Sequence, residues 1–176
     1  MKRALVLLLV TCAASVGLFA QGTQATPKRE KRGWMNRIMH PFASERLTEY
    51  KDPQLRGLSL ELELSPQPIK LSEMRQMNVK LTLTNKAKRA ITLEFPNAQR
   101  IEIELKNSSK QILTTWSENH AFAEVMGTVL INPQEHIEYA ETIATRELTP
   151  NRVFIAEVYF PKYPELRVRQ KFLTAP

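Results

Sequence analysis

Three parts of the segment from Ile91 to Ile143 decide the fold: ITLEFPNAQRIEIEL (91–105), KNSSKQILTTWSENHAF (106–122) and TVLINPQEHIEYAETI (128–143). At the start of the segment, the apolar residues Ile91, Leu93 and Phe95 alternate with polar residues. Strict alternation of this kind predicts a strand with one buried and one solvent-facing side. The interruptions between such runs are Pro-Asn, Asn-Ser-Ser and Asn-Pro, which favour turns. The segment therefore predicts consecutive short strands joined by turns.

The chain continues this pattern on both sides of that segment. The clearest alternating runs extend from Leu58 to Leu64 and from Met77 to Leu83. We expect strands near 58–64, 77–83, 91–95, 101–105, 111–116, 128–131, 136–144, 152–160 and 166–173. About eight or nine short strands, without long helical periods, predict an all-β fold, an antiparallel immunoglobulin-like β-sandwich, over residues 53–176.

Charged residues of these strands occupy the outward positions of the alternation, so we expect them on solvent-facing sides. They are Glu61, Glu63, Lys80, Glu94, Arg100, Glu102 and Glu104. Exposed charge pairs across neighbouring strands contribute little to stability. The simplest interpretation of this set is therefore a solvated sheet surface.

Residues 1–25 resemble a secretory signal peptide. Lys2 and Arg3 precede an apolar run, and small residues follow it. This order is typical of a cleaved export signal, and the run is too short to favour a membrane span. Processing as a lipoprotein at Cys12 is the alternative, but Thr11 is unusual before a lipidated cysteine, so we favour ordinary cleavage. We expect an exported protein, in the periplasm, the cell envelope or the extracellular space.

Residues 26–52 form a basic linker in this interpretation. Segment 28–42 combines basic residues with Trp34 and Phe42, so peripheral membrane contact is one interpretation. A solvated linker is favoured, because blocks of like charge are usually solvent-exposed tails. The sequence also allows a short helix from Glu45 to Tyr50, preceded by a serine that can serve as its N-cap.

The charge balance and the cysteine count exclude several kinds of partner. Formal net charge is +7 over 176 residues, but residues 53–176 carry sixteen basic and fourteen acidic residues. A nucleic-acid partner requires a basic face on the folded module, so we expect none. The single cysteine, Cys12, lies in the leader, and the three histidines do not share a ligand-like spacing. We therefore expect no disulfide in the domain, no metal and no other cofactor.

Residue types that serve in catalysis are present, but they do not form an enzyme constellation. Ser117 and His120 are close along the chain, whereas a catalytic triad requires groups that converge in space. We favour a turn and a surface loop for these two residues. Glu102 and Glu104 are expected in solvent, whereas acid–base chemistry needs one carboxyl in an apolar setting. The chain is predicted to be non-enzymatic.

Four groups of residues follow one another along the predicted domain: Leu83-Thr84-Asn85; Phe95-Pro96 with Gln99; Trp116-Ser117 with Phe122; and Leu130 with Asn132-Pro133 and Glu135. In order and spacing they resemble the BsuPI family, the domain of the bacterial intracellular proteinase inhibitors. The similarity extends from Leu58 to Phe160. The chain departs from the family pattern at Gln134, where a turn glycine is usual, and at Ser108-Ser109, where an Asp/Gly-type hairpin turn is expected.

The resemblance implies a rigid scaffold that presents a loop to a proteinase cleft. The candidate loops are 96–100 and 117–127. The candidate partner-binding residues are Pro96, Gln99, Ser117, Glu118 and Phe122, supported from the core by Phe95 and Trp116. The expected partner is a serine proteinase or another protein of the cell envelope. The alternative is an envelope structural or adhesion module without inhibitory activity, since a fold does not determine a function.

Overall fold

The computed structural model describes residues 45–46 and 50–176. In this part, the chain forms eleven strands and two short 3-10 helices, Pro53–Leu55 and Trp116–Asn119. The strands are β1 (Glu45–Arg46), β2 (Leu58–Ser65), β3 (Ile69–Lys70), β4 (Gln76–Asn85), β5 (Ile91–Phe95), β6 (Glu102–Lys106), β7 (Ile112–Thr115), β8 (Gly127–Ile131), β9 (His136–Ala144), β10 (Val153–Phe160) and β11 (Tyr163–Ala175). Strands β1 and β3 have two residues each, which leaves nine longer strands. The predicted all-β sandwich is confirmed.

The strands form two main sheets and a separate two-stranded ribbon. One sheet has the order β1-β11-β10-β6-β7, with β3 paired to β11, and the other has the order β2-β4-β9. Strands β5 and β8 form the ribbon. The strand pairs are antiparallel, apart from the parallel pair of β3 and β11.

Strand β4 is the centre of the three-stranded sheet, and its alternate residues face the core. Leu81 lies opposite Leu62 of β2 and Tyr139 of β9, and its side chain is fully buried. The four alternating leucines of β2 are buried as well. The inward faces predicted for β2 and β4 are therefore confirmed.

Aromatic side chains connect the two sheets and the ribbon. Tyr139 packs edge-on against Phe160 at a ring-centroid distance of 5.6 Å. The ring centroid of Phe95, in the ribbon, lies 6.2 Å from that of Phe160 and 5.9 Å from that of Tyr163. The Tyr163 hydroxyl also donates to the Glu94 carbonyl at 3.0 Å and accepts from the Glu94 amide at 2.8 Å. These contacts fix β5 against β10 and β11, and the buried apolar residues form one core.

The short helix that the sequence allowed within the linker, from Glu45 to Tyr50, is wrong at its first two residues. Glu45 and Arg46 form strand β1, opposite Arg169 and Val168 of β11. The edge of β11 supplies backbone hydrogen-bond partners that a short sequence window cannot reveal, and tertiary pairing overrides weak local preference. The predicted signal peptide and segment 28–42 lie outside the described residues. Across residues 50–176, no helix has the length and apolar character that crossing a membrane requires.

The outer side of the six-stranded sheet carries a buried charge network. Glu157 of β10 is only 2% exposed. Its carboxylate accepts hydrogen bonds from Arg169 Nε at 2.8 Å, Arg167 Nη1 at 3.2 Å and Lys106 Nζ at 2.8 Å. Lys106 also pairs with Glu104, whose side chain is 12% exposed. The prediction that Glu104 faces solvent is wrong, because the long side chains of the neighbouring strands cover this side of the sheet.

The electrostatics of this network favour the charged carboxylate. Burial raises the pKa of Glu157, but the hydrogen bonds and charges of Arg169 and Lys106 outweigh burial and leave the pKa below its ordinary value. Burial lowers the pKa of Lys106, and its two carboxylate partners reverse that shift to a net increase. Burial and the Glu104 carboxylate raise the pKa of Tyr159, whose hydroxyl donates to Glu104 at 2.9 Å. Stability should therefore depend on the charge of Glu157.

Candidate functional site

The two candidate loops lie side by side at one end of the β5–β8 ribbon. Phe95, the last residue of β5, pairs with Gly127, the first residue of β8. The Ala98 amide donates to the Ala123 carbonyl at 2.8 Å and joins the loop after β5 to the loop before β8. The two loops that the sequence predicted separately, 96–100 and 117–127, therefore form one continuous surface, which we call the loop end.

Glu102, at the start of β6, forms hydrogen bonds with both loops. Its carboxylate accepts hydrogen bonds from the Ser117 amide at 3.1 Å and from Gln99 Nε2 at 3.0 Å. A third bond comes from the Ile103 amide at 3.0 Å. Glu102 is only 6% exposed, so its predicted place on a solvent-facing side is wrong. The 3-10 helix that begins at Trp116 covers this carboxylate, and its first turn supplies the Ser117 donor.

Three aromatic rings support the second loop. Trp116 is buried, and its ring stacks on His120 at a centroid distance of 4.1 Å. Phe122 is half-buried and lies 5.5 Å from Trp116 and 6.2 Å from His120. His120 Nδ1 is also 2.7 Å from the Trp116 carbonyl oxygen. The ring of His120 is thus part of the support for the loop.

Arg100 packs the corner between the first loop and the ribbon. Its guanidinium lies over the Phe95 ring at 4.6 Å and donates to the Asn97 carbonyl. The same guanidinium crosses Gly127, where an added Cβ would contact Arg100 Nη2. A side chain at position 127 would shift this guanidinium, which is the end of a long and flexible side chain.

The five predicted partner-binding residues fall into two groups. Pro96 and Glu118 are exposed. Gln99, Ser117 and Phe122 are partly buried and make the internal contacts described above. The loop end therefore places two of the five in solvent, while the other three contribute to its internal order.

Sequence reasoning missed the two most exposed large apolar residues of this loop. Met126 is 80% exposed and Val125 is 64% exposed. They stand together immediately before Gly127, in a stretch from 120 to 126 that forms neither helix, strand nor turn. An apolar pair between a predicted loop and a predicted strand was the available signal, but it also fits the first residues of a buried strand.

A second polar cluster lies at the opposite end of the ribbon. Buried Asn85 donates through Nδ2 to the carbonyls of Arg89 and Ile131 at 2.8 and 2.9 Å. Its backbone amide donates to the Glu135 carbonyl, and the Glu135 carboxylate accepts from the Asn132 amide at 2.6 Å. This cluster lies roughly 14 Å along β8 from the loop end, four residue steps away. Three of the family-like residues thus fix the fold and do not form the loop surface.

The described residues offer no obvious centre for metal chemistry. No group of three or more His, Cys, Asp or Glu side chains within residues 50–176 is arranged to hold a metal ion. The hydrogen bonds of the Glu102 carboxylate order the two loops. This surface presents to a partner the exposed apolar side chains of Val125 and Met126, the exposed carboxylates of Glu118 and Glu124, and loop backbone.

Fold and site together define a class of protein, an all-β sandwich with ordered loops at one end. The family model described as BsuPI, intracellular proteinase inhibitor, matches residues 62–163, more than half of the chain. The chain belongs to this family. The match begins within β2 and ends at the first residue of β11, so it contains both loops of the loop end. No curated protein matches the chain.

Solved structures show more distant similarities. A β-glucosidase from Listeria innocua matches at 12% identity and a TM-score of 0.39, over 68% of this chain and 16% of its own. A β-glucosidase from Erythrobacter marinus matches at 8% identity and a TM-score of 0.40, over 67% and 15%. The alkylpurine DNA glycosylase AlkC of Pseudomonas fluorescens matches at 15% and 0.40, over 68% and 31%. The chain spans less than a third of each of these proteins, and similarities at this level say nothing about its activity.

Proposed function

We propose that this chain is an exported, non-enzymatic proteinase inhibitor that inserts its loop end into the cleft of a serine proteinase. Family membership supports a proteinase as the partner. The observation that carries the proposal is the hydrogen bond between Ala98 and Ala123, which unites the two loops above the Glu102 carboxylate. An inhibitor loop must be ordered before binding, because ordering it in the complex would cost affinity.

Three sets of contacts order the loop end before a partner binds. Glu102 accepts hydrogen bonds from both loops, and a buried carboxylate with several donors forms charge-assisted bonds. Trp116 and Phe122 pack under the second loop. Arg100 fills the corner against Phe95 and Gly127. Such support keeps a loop in one conformation and leaves its outer side free to make contacts.

Export is the second part of the proposal, and it rests on the leader sequence. Lys2 and Arg3 precede an apolar run, as in cleaved signals. Mass spectrometry of the protein from its native cells should show a mature N-terminus near Gln21 or Thr26. A chain that begins at Met1 would contradict export, and a lipid adduct on Cys12 would replace cleavage at the later sites with lipoprotein processing.

Inhibition is tested by titrating serine proteinases of different specificity with the mature protein. We expect the activity of at least one subtilisin-like or chymotrypsin-like proteinase to fall with rising inhibitor concentration. A matched variant replaces 118–124 with a short glycine-serine turn, and circular dichroism checks that the sheets remain. Inhibition by the native loop and not by this variant supports the proposal. If a folded protein inhibits no proteinase at high micromolar concentration, the alternative of an envelope module without inhibitory activity takes its place.

A further inference from the structure

Two apolar side chains stand in solvent at the point where the second loop enters β8. Met126 is 80% exposed and Val125 is 64% exposed, the two largest exposed fractions among the exposed large apolar residues of the described chain. A large apolar side chain held in water gains stability when a partner covers it. We therefore expect Val125 and Met126 to bind a partner that has an apolar recess.

The backbone on both sides of this pair is fixed. The Ala123 carbonyl accepts from the Ala98 amide, and Gly127 pairs with Phe95 in the ribbon. Only Glu124, Val125 and Met126 lie between these two attachment points. A three-residue span with both ends attached has few alternative conformations, so its side chains are presented in nearly fixed directions.

We propose that Met126 is the residue that enters the primary specificity pocket of the proteinase, and that this pocket is deep and apolar. This inference rests on the proposed function and specifies the class of proteinase. Methionine is long, unbranched and flexible, so it can fill an apolar slot without a close match in shape. A pocket with an acidic residue at its base would keep an unpaired buried charge when it received this thioether, which disfavours proteinases that cleave after lysine or arginine.

Met126 is favoured over its neighbour Val125 by reach. The methionine side chain is longer, it is more exposed, and it adjoins Gly127, whose contact with Arg100 fixes the corner beneath. Valine is branched at Cβ and stiff, so it fits a shallow recess better than a deep one. The two residues can therefore be distinguished by substitution.

The test measures inhibition constants for a chymotrypsin-like proteinase with an apolar pocket and a trypsin-like proteinase with an acidic one. Met126→Ala should weaken inhibition of the first by about 30-fold or more, the effect of truncating a central anchor. Met126→Lys should weaken it by about 100-fold and strengthen inhibition of the trypsin-like enzyme by about tenfold or more. The matched control is Leu130→Lys, since Leu130 is 55% exposed on the same ribbon. The control should change either constant by less than about threefold.

The outcomes separate this inference from the proposed function. If both Met126 variants inhibit as strongly as the wild type, Met126 does not have the proposed role, although the protein is an inhibitor. A large loss with Val125→Ala alone would overturn this role equally. Absence of inhibition by the folded wild type would overturn both proposals. The exposed Met126 side chain could instead be covered by a second copy of this chain. Analytical sedimentation of the wild type and Met126→Lys tests this alternative, and a dimer that only the wild type forms would assign Met126 to self-association.

Discussion

The carboxylate of Glu102 accepts a hydrogen bond from the Ser117 amide at 3.1 Å, across fifteen positions of the chain. This bond links the first residue of β6 to the 3-10 helix that begins the second loop. The same carboxylate receives the side chain of Gln99 from the first loop. Glu102 is therefore the group through which the sheet fixes both halves of the loop end.

Replacing Glu102 should loosen the loop end. Glu102→Ala leaves the Ser117 amide and the Gln99 side chain without their acceptor, and should lower the free energy of unfolding by about 1–3 kcal/mol. Amide hydrogen exchange at Ser117 should accelerate, since local opening becomes easier. Glu102→Gln keeps an acceptor oxygen and should have a smaller effect. Glu94→Ala, on the exposed side of β5, is the control and should change stability by less than about 0.5 kcal/mol. Unchanged exchange at Ser117 in Glu102→Ala would contradict this role.

Leu81→Ala tests the register of the core. Leu81 is fully buried between β2 and β9, so removing its side chain should cost about 2–5 kcal/mol in the free energy of unfolding. Urea unfolding followed by tryptophan fluorescence measures this change. Thr82→Ala, at the adjacent half-buried position, is the control and should cost less. A loss below about 0.5 kcal/mol for Leu81→Ala, as at surface positions, would mean that the strand faces the other way.

Glu157 should make stability depend on pH. The pKa of Glu157 is lowered in the folded protein, so its contribution is complete above the unfolded carboxyl pKa of about 4.3 and is lost as pH falls through the lower folded value. Glu157→Gln should cost about 3–5 kcal/mol at pH 7, because Arg169 and Lys106 each lose a buried, negatively charged partner. The difference between the two proteins should shrink below pH 4.

The control for this prediction is an exposed pair. Lys80 and Glu138 lie 2.8 Å apart with side chains 42% and 47% exposed. Glu138→Gln should change stability much less than Glu157→Gln does, because solvent screens surface pairs. Chemical unfolding at pH 7 and pH 3 measures both variants. A difference between Glu157→Gln and the wild type that grows toward low pH would contradict the sign of the pKa shift.

Gln134→Gly should stabilise the protein. Gln134 has a φ of 66°, a left-handed conformation that costs residues with a Cβ and that glycine adopts freely. The expected gain is about 0.5–1 kcal/mol in the free energy of unfolding, after the extra entropy of glycine in the unfolded chain. Gln76→Gly, at the start of β4, is the matched control and should destabilise by a similar amount. A loss of stability in Gln134→Gly would show that the Gln134 side chain contributes more than its backbone strain.

Much of the fold could be predicted because alternation is a local property. Strands β2, β4 and β5 carry apolar side chains at every second position, and the structure places those strands within two residues of the predicted bounds. The strand Glu45–Arg46 could not be predicted in this way, because two residues show no period. Its formation depends on the free edge of β11, a partner more than a hundred residues away.

The burial of two carboxylates and the order of the loop end were harder to predict for a physical reason. Glu102 and Glu157 occupy outward positions, and an outward glutamate normally indicates solvent. Here another element or a layer of long side chains covers each carboxylate, which only the three-dimensional arrangement reveals. The bond from Ala98 to Ala123 uses backbone groups alone, so no residue type announces it. The left-handed Gln134 is an intermediate case, because a turn glycine is usual at this position in the family and glycine adopts this conformation freely.

The most direct test of the proposed inhibitor is binding to a proteinase whose cleft is open or closed. The enzyme is a subtilisin-like or chymotrypsin-like proteinase that the protein inhibits in the activity assay. Calorimetry would titrate the mature protein into this enzyme in two forms. In one form the cleft is open, and in the other a peptidyl chloromethyl ketone has covalently filled the substrate subsites. If the loop end occupies the cleft, the open enzyme should bind one molecule of the protein, and the filled enzyme should bind at least about 100-fold more weakly. Equal affinity for the two forms would contradict insertion of the loop end into the cleft.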